Sequence, residues 1–193
     1  MILSTKELKS RWSDDLLESV FDHLEKGLAY SPFGNTDDER LDLRGVRLAY
    51  LVRDVELKNA DMSFCEEGRG QIAGWKMSNV LLNNSRLTSN IHGHFHNCSF
   101  HRANMNGAWL DGVFDQCAFN LAKMRAASAE DTTFDQCSFL GSDLRKAHLC
   151  DCRFIKCDWE DVHLGDGSFS ESRFLNGFPS DIGNTIMTKV THG

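Results

Sequence analysis

No stretch of this 193-residue sequence approaches the roughly 20 consecutive apolar residues that a membrane-spanning helix needs. No N-terminal run joins basic residues, an apolar core and a cleavage site. The expectation is a cytoplasmic protein with no membrane association. Basic residues are also short: 21 Lys and Arg face 28 Asp and Glu, for a formal charge of -7. That balance excludes the basic footprint of direct nucleic-acid binding. The 7 cysteines include no CxxC pair, and their odd number without a secretory signal argues against both a zinc ribbon and a disulfide framework. Equally absent are a Gly-rich phosphate loop after a strand, a serine nucleophile elbow and an HExxH helix. The expected class is therefore non-enzymatic, with no cofactor and no metal.

Phenylalanine is abundant instead, at 13 residues against 2 prolines. Its placement is periodic. "FDQCAF" at 114–119 returns as "FDQCSF" at 134–139, and "FIKCDW" at 154–159 keeps the same step. Counting in fives from Phe114 gives Phe119, Met124, Ala129, Phe134, Phe139, Leu144, Leu149, Phe154, Trp159, Leu164, Phe169 and Phe174. The residue two before each centre is small, as at Cys117, Ala122, Ala127, Cys137, Ser142 and Ala147, and the other three are mostly polar. Upstream the pattern holds with slips: Phe95, Phe100, Met105 and Leu110 share a frame, and Val52, Leu57, Met62, Ile72, Met77, Leu82 and Leu87 share another. A period of five fits neither the 3.6 of a helix nor the 2 of a strand. Four fives make a superperiod of twenty, which stacks like positions in columns as a solenoid does.

The stretches "SDLRKAHLCDCRF" at 142–154 and "CSFHRANMNGAWL" at 98–110 resemble pentapeptide-repeat proteins, and the resemblance covers about 140 of the 193 residues. It implies an all-β solenoid, a right-handed quadrilateral β-helix of about seven coils with four pentads each. The centre and the residue two before it point inward. Phe114, Phe134, Phe154 and Phe174 then form one column, and Phe119, Phe139 and Trp159 the next. Cys98, Cys117, Cys137 and Cys157 become one column of small inward residues, whose parallel Cβ vectors disfavour disulfides.

Solenoid ends need covering. Residues 1–40 read as a helical N-terminal cap, with Ser13-Asp14-Asp15 at a helix start, Leu17, Val20, Phe21 and Leu24 on its apolar face, and Gly27 as its stop. Residues 41–178 are the repeat. Residues 179–193 form a C-terminal cap or tail, with Ile182, Ile186, Met187 and Val190 on one side of a short helix, serving as a cap or a dimer contact. Two irregularities stand out. At "CEEGRGQ" (65–71) the in-frame centre is Glu67, and burying an unpaired carboxylate costs several kcal/mol, so a bulge or protruding loop is expected. Around "SNIHGHFH" the centre falls on His92 and the coil should distort. His92, His94, His96 and His101 lie near Cys98, but the repeat frame turns His94, His96 and His101 outward on one or two faces and the thiol inward, so surface histidines are preferred to a metal site.

A polar rod without a cleft binds by shape and charge. The resemblance implies two versions: DNA-mimicking binders that protect DNA gyrase or topoisomerase IV from inhibitors, and structural or toxin-immunity interaction modules with no topoisomerase role. A homodimer is compatible with either. Six acids in the last coils, Asp151, Asp158, Glu160, Asp161, Asp166 and Glu171, and Glu66 and Glu67 at the irregular segment, are the candidate partner-binding residues. Two departures separate the chain from the gyrase binders: the long helical start, and a tail without a strongly apolar dimerisation helix.

Overall fold

A computed structural model describes residues 3–48, 53–67 and 72–193. Parallel pairing repeats along four ladders, one for each side of a coil. The first side runs through Asp42, Asp61, Leu81, Ser99, Ala118, Ser138 and Asp158. The second runs through Arg47, Glu66, Arg86, Asn104, Lys123, Asp143 and His163. The third joins Ile72, Ile91, Leu110, Ala129 and Leu149. The fourth joins Leu57, Met77, Phe95, Phe114, Phe134, Phe154, Phe174 and His192. The expected solenoid is therefore present as a four-sided β-helix. Val52 and the tip of the 65–71 segment lie outside the described residues.

The aromatic columns fall where the period of five places them. Phe114 and Phe134 stack at 5.2 Å, Phe134 and Phe154 at 5.1 Å, and Phe154 and Phe174 at 4.8 Å. On the first side Phe119 stacks on Phe139 at 5.1 Å, and Phe139 on Trp159 at 4.6 Å. These spacings follow the ~4.8 Å between hydrogen-bonded strands, so each ring packs on the next with no gap. Rings of adjacent sides meet edge to face, as Phe134 does with Phe139 at 5.5 Å and 67°. Such pairs add roughly 0.5–1.5 kcal/mol beyond the area they bury.

Corners are made by one residue each, two after the centre. Among the described residues, twenty-one non-glycine residues have φ between 50° and 63°, among them Asn97, Gln116, Gln136 and Lys156 at one corner of successive coils. The left-handed conformation costs about 1–2 kcal/mol for most residues. The coil repays part of it, because the turned N–H donates to the next coil: Gln116 to the Asp135 carbonyl at 2.8 Å, and Gln136 to that of Ile155 at 2.7 Å.

In two of the described coils a corner is missing. Asn90–His96 and Trp109–Asp115 are seven-residue strands that run straight across the third and fourth sides. The distortion expected at His92 takes this form: Ile91 fills the core and His92 faces out. Gly93 permits the close approach, since a Cβ there would lie 2.0 Å from the Trp75 carbonyl oxygen.

The N-terminal segment packs on the first coils. Helix α1 (Thr5–Ser10) opens with a capping box between Ser4 and Glu7, and helix α2 (Asp14–Glu25) is capped by Ser13. Leu17, Val20, Phe21 and Leu24 join the core. Asp42 locks the junction: Arg11 donates to it at 2.6 and 3.0 Å, and the Arg44 side chain twice at 2.9 Å. Burial alone would raise the Asp42 pKa, but hydrogen bonds from Arg44 and Arg11 outweigh it and hold the carboxyl well below the usual range.

Two expectations are revised. Glu66–Glu67 is a strand paired to Arg47–Leu48, and the bulge or protruding loop expected at 65–71 falls largely on residues 68–71, outside the described residues. Glu67 is not left unpaired: it accepts from the Thr88 and Ser89 backbone N–H groups at 2.6 and 2.8 Å and from both hydroxyls. The C-terminal segment forms no helix. It continues the coil, with Ile186 paired to Ser168 and Thr191–His192 to Arg173–Phe174. Thr185 is buried while Ile186 faces solvent at 56% exposure, so strand pairing overrides the helical spacing.

Candidate interaction surface

With the centre and the residue two before it turned inward, each side shows partners two kinds of outward column and a corner. Charge separates among them. Asp111, Glu130, Asp131, Asp151 and Glu171 are all exposed along the third side and the corner that follows it. The second side and its flanking corners carry exposed Arg86, Arg102, Lys123, Arg125, Arg145 and Lys146. Between residues 68 and 110 the sequence has no Asp or Glu at all.

The candidate acids do not form one face. Asp151 and Glu171 share the corner column after the third side, where Glu171 pairs with Lys189 at 2.9 Å. Asp158 and Glu160 flank the first-side centre Trp159, and Asp161 turns the next corner. Asp166 is one corner further on and exchanges hydrogen bonds with Asn184. These six acids therefore wind around the coil that precedes the C-terminal rung. Glu66 pairs with Lys9 of α1, and Glu67 closes a corner, so both serve the fold. Asp111, Glu130 and Asp131 were missed because their alignment with Asp151 and Glu171 appears only when residues about twenty apart are stacked.

No family model and no curated protein matches the chain. Among solved structures it is similar to a trypsin-treated form of QnrB1, a plasmid-mediated fluoroquinolone resistance protein. That match has 14% identity, covers 80% of each chain and has a TM-score of 0.38. It is also similar to HetL, a pentapeptide-repeat protein involved in heterocyst differentiation regulation in the cyanobacterium Nostoc, at 10% identity over 90% of this chain and 93% of that one, TM-score 0.27. A third match is Rfr23, a pentapeptide-repeat protein from the cyanobacterium Cyanothece, at 14% identity over 81% and 93%, TM-score 0.24. What decides the architecture is this chain's own register: four ladders, inward centres every five residues, and a left-handed residue two past them. The chain is a four-sided parallel β-helix built on a repeat of five residues.

The thiols of this β-helix are packing atoms with one polar task. Three of them reach back to the carbonyl of the preceding coil: Cys117 to Phe95 at 3.3 Å, Cys137 to Phe114 at 3.2 Å and Cys157 to Phe134 at 3.3 Å. Thr132 and Ser172 bond Leu110 and Leu149 in the same way. A cysteine at this position is a small residue with a weak donor. All seven cysteines are free. Burial pushes Cys65 and Cys152 up to about 12.

The histidines spread over more than one side, with His92 on the third, His94 and His96 on the fourth and His101 after Phe100 on the first. His92, His94 and His96 all face out from the straight strand Asn90–His96, and His96 pairs with Asp115 at 2.6 Å. Among the described residues no three His, Cys, Asp or Glu side chains converge on a metal-sized point. A shallow groove of about 640 Å³ lies beside them on the fourth side, lined by Lys58, Lys76, His94, His96 and Asp115 among others. Its charged groups are largely paired off, Glu56 with Lys58 at 2.6 Å and His96 with Asp115.

Proposed function

We propose that this β-helix is a non-catalytic protein-binding rod whose acidic edge substitutes for a strand of DNA phosphates on a bacterial type II topoisomerase, DNA gyrase or topoisomerase IV. The observation that supports it is the column Asp111, Glu130, Asp131, Asp151 and Glu171. Its rungs are ~4.8 Å apart, carrying one or two carboxylates each. A single strand of duplex DNA presents one charge per ~3.4 Å of axis, so the linear densities are comparable. A stripe of one sign steers a DNA-binding partner and fixes its register. The basic second side favours a rival reading, an interaction or toxin-immunity module for a partner of mixed charge.

A supercoiling assay with purified gyrase, with and without a fluoroquinolone, separates the two. Inhibition or protection by the wild type, weakened by Glu130→Lys/Asp131→Lys/Asp151→Lys, is the expected result. No inhibition, no protection and no binding at micromolar protein would leave the rival.

A further inference from the structure

Opposite charges on different sides of one rod, repeating at one spacing, have a consequence for the molecule itself. Arg86, Arg102, Lys123, Arg125 and Lys146 are exposed, and no ion pair engages them among the described residues. They occupy four successive coils of the second side and its corners. The acids Asp111, Glu130, Asp131, Asp151 and Glu171 likewise occupy four successive coils. Both rows step by the strand spacing of ~4.8 Å, so two parallel rods offset by one coil place a carboxylate row against a cation row rung for rung. A phosphate backbone lacks that step. Each row also has one exposed apolar neighbour. Leu121, 43% exposed, sits directly after Arg102 in the corner column, and Trp109, 45% exposed, lies two residues before Asp111 on the third side. An aromatic anchor within a charged rim is the arrangement that concentrates binding energy at interfaces.

We propose that the second side is a docking surface for a second copy of this chain, which presents its acidic third-side edge with the rods side by side. The two patches differ, so the contact is heterologous and leaves one free patch on every copy. Association therefore continues past a dimer instead of closing as a two-fold pair. The charge of -7 on each chain opposes approach at long range, which sets the contact at low affinity and makes it sensitive to salt.

Sedimentation velocity on the full chain at roughly 20 mM and 500 mM salt, where screening lengths differ several-fold, tests this. The wild type should form species larger than a dimer as concentration rises at low salt, and be monomeric at high salt. Two variants isolate the rows: Glu130→Lys/Asp131→Lys/Asp151→Lys and Lys123→Glu/Arg125→Glu/Lys146→Glu. Lys146 and Lys156 already occupy corner positions, so Lys is tolerated at Asp131 and Asp151; circular dichroism melting confirms that both variants fold. Each alone should be monomeric at low salt, and an equimolar mixture should associate, because each now carries rows complementary to the other. Acrylamide quenching of Trp109, the one tryptophan not buried, should fall as the assemblies form. The proposal is overturned by a wild type that stays monomeric at low salt, by association that stops at a dimer, by association persisting in either variant alone, or by a mixture that fails to associate.

Discussion

The stacked phenylalanines make a quantitative test of how far each coil feels its neighbours. Phe134 is fully buried, stacked on Phe114 at 5.2 Å and on Phe154 at 5.1 Å, and met edge to face by Phe139 at 5.5 Å. Phe134→Ala removes a ring from a wall that cannot close over it, so the expected loss is about 3–5 kcal/mol. Leucine substitutions keep most of the volume and delete only the ring contacts. In a double-mutant cycle, Phe114→Leu and Phe134→Leu should couple by about 0.5–1.5 kcal/mol, the worth of one aromatic pair. Phe114→Leu and Phe154→Leu, with Phe134 between them, should be additive within about 0.3–0.5 kcal/mol. The measurement is urea unfolding of all six proteins with linear extrapolation to water. Coupling across two coils as large as that across one would refute the nearest-neighbour account of this column. So would the absence of coupling between adjacent rings.

Three further perturbations probe other parts of the fold. Gly93→Ala should lower the melting temperature far more than Gly107→Ala: the first drives a Cβ to 2.0 Å from the Trp75 carbonyl oxygen, while the second meets open space and bears only the cost of φ +70°, about 1–2 kcal/mol. Equal shifts would contradict the close packing of the straight strands. A thiol reagent added to native protein should modify Cys150, which is partly exposed, and spare the six buried cysteines until denaturant is added; rapid loss of Cys117 or Cys137 would show the column to be open. Asp42 should govern acid stability. Its pKa is depressed in the fold, so its contribution is fully present above the unfolded value of about 3.9 and is lost as pH falls through that value toward the folded one. Asp42→Asn should cost about 3–5 kcal/mol at neutral pH and flatten the melting profile below pH 5; an unchanged acid slope would assign the effect to other carboxylates.

The inward half of the structure was legible because burial writes itself into residue type. Phe, Leu and Met at the centre, and Cys, Ala and Ser two before it, have few alternatives in a closed wall, and the ring columns lie where the count of five puts them. The corners were not legible. Left-handed φ is held by Asn79, Asn97, Gln136, Lys146, Leu121 and Ala126 alike, because hydrogen bonds to neighbouring coils impose it whatever the side chain. Gln116, a polar letter of the repeated "FDQC" stretch, is one of these corners. The tail failed for a related reason. Ile182, Ile186 and Val190 fit a helical stripe, but an unpaired final rung offers backbone hydrogen bonds that a short isolated helix would forgo.

The proposed interaction surface was hidden by the same stacking that made the core visible. Acids adjacent in the sequence, such as Asp158, Glu160 and Asp161, are carried around a corner and point in different directions. Acids twenty residues apart, such as Asp131 and Asp151, become neighbours. A count of charge in a window along the chain therefore samples a ring around the rod, whereas a partner lying along the rod reads a column. The window over 151–171 reports a local excess of acids whose members face different ways. The column from Asp111 to Glu171 has no window in which it stands out, and the opposing row from Arg86 to Lys146 is equally dispersed. Functional residues in such a chain must be sought by reading outward positions at the coil period, with the slips near residues 92 and 112 corrected first, because one missed deletion shifts every later residue to a different place on the wall.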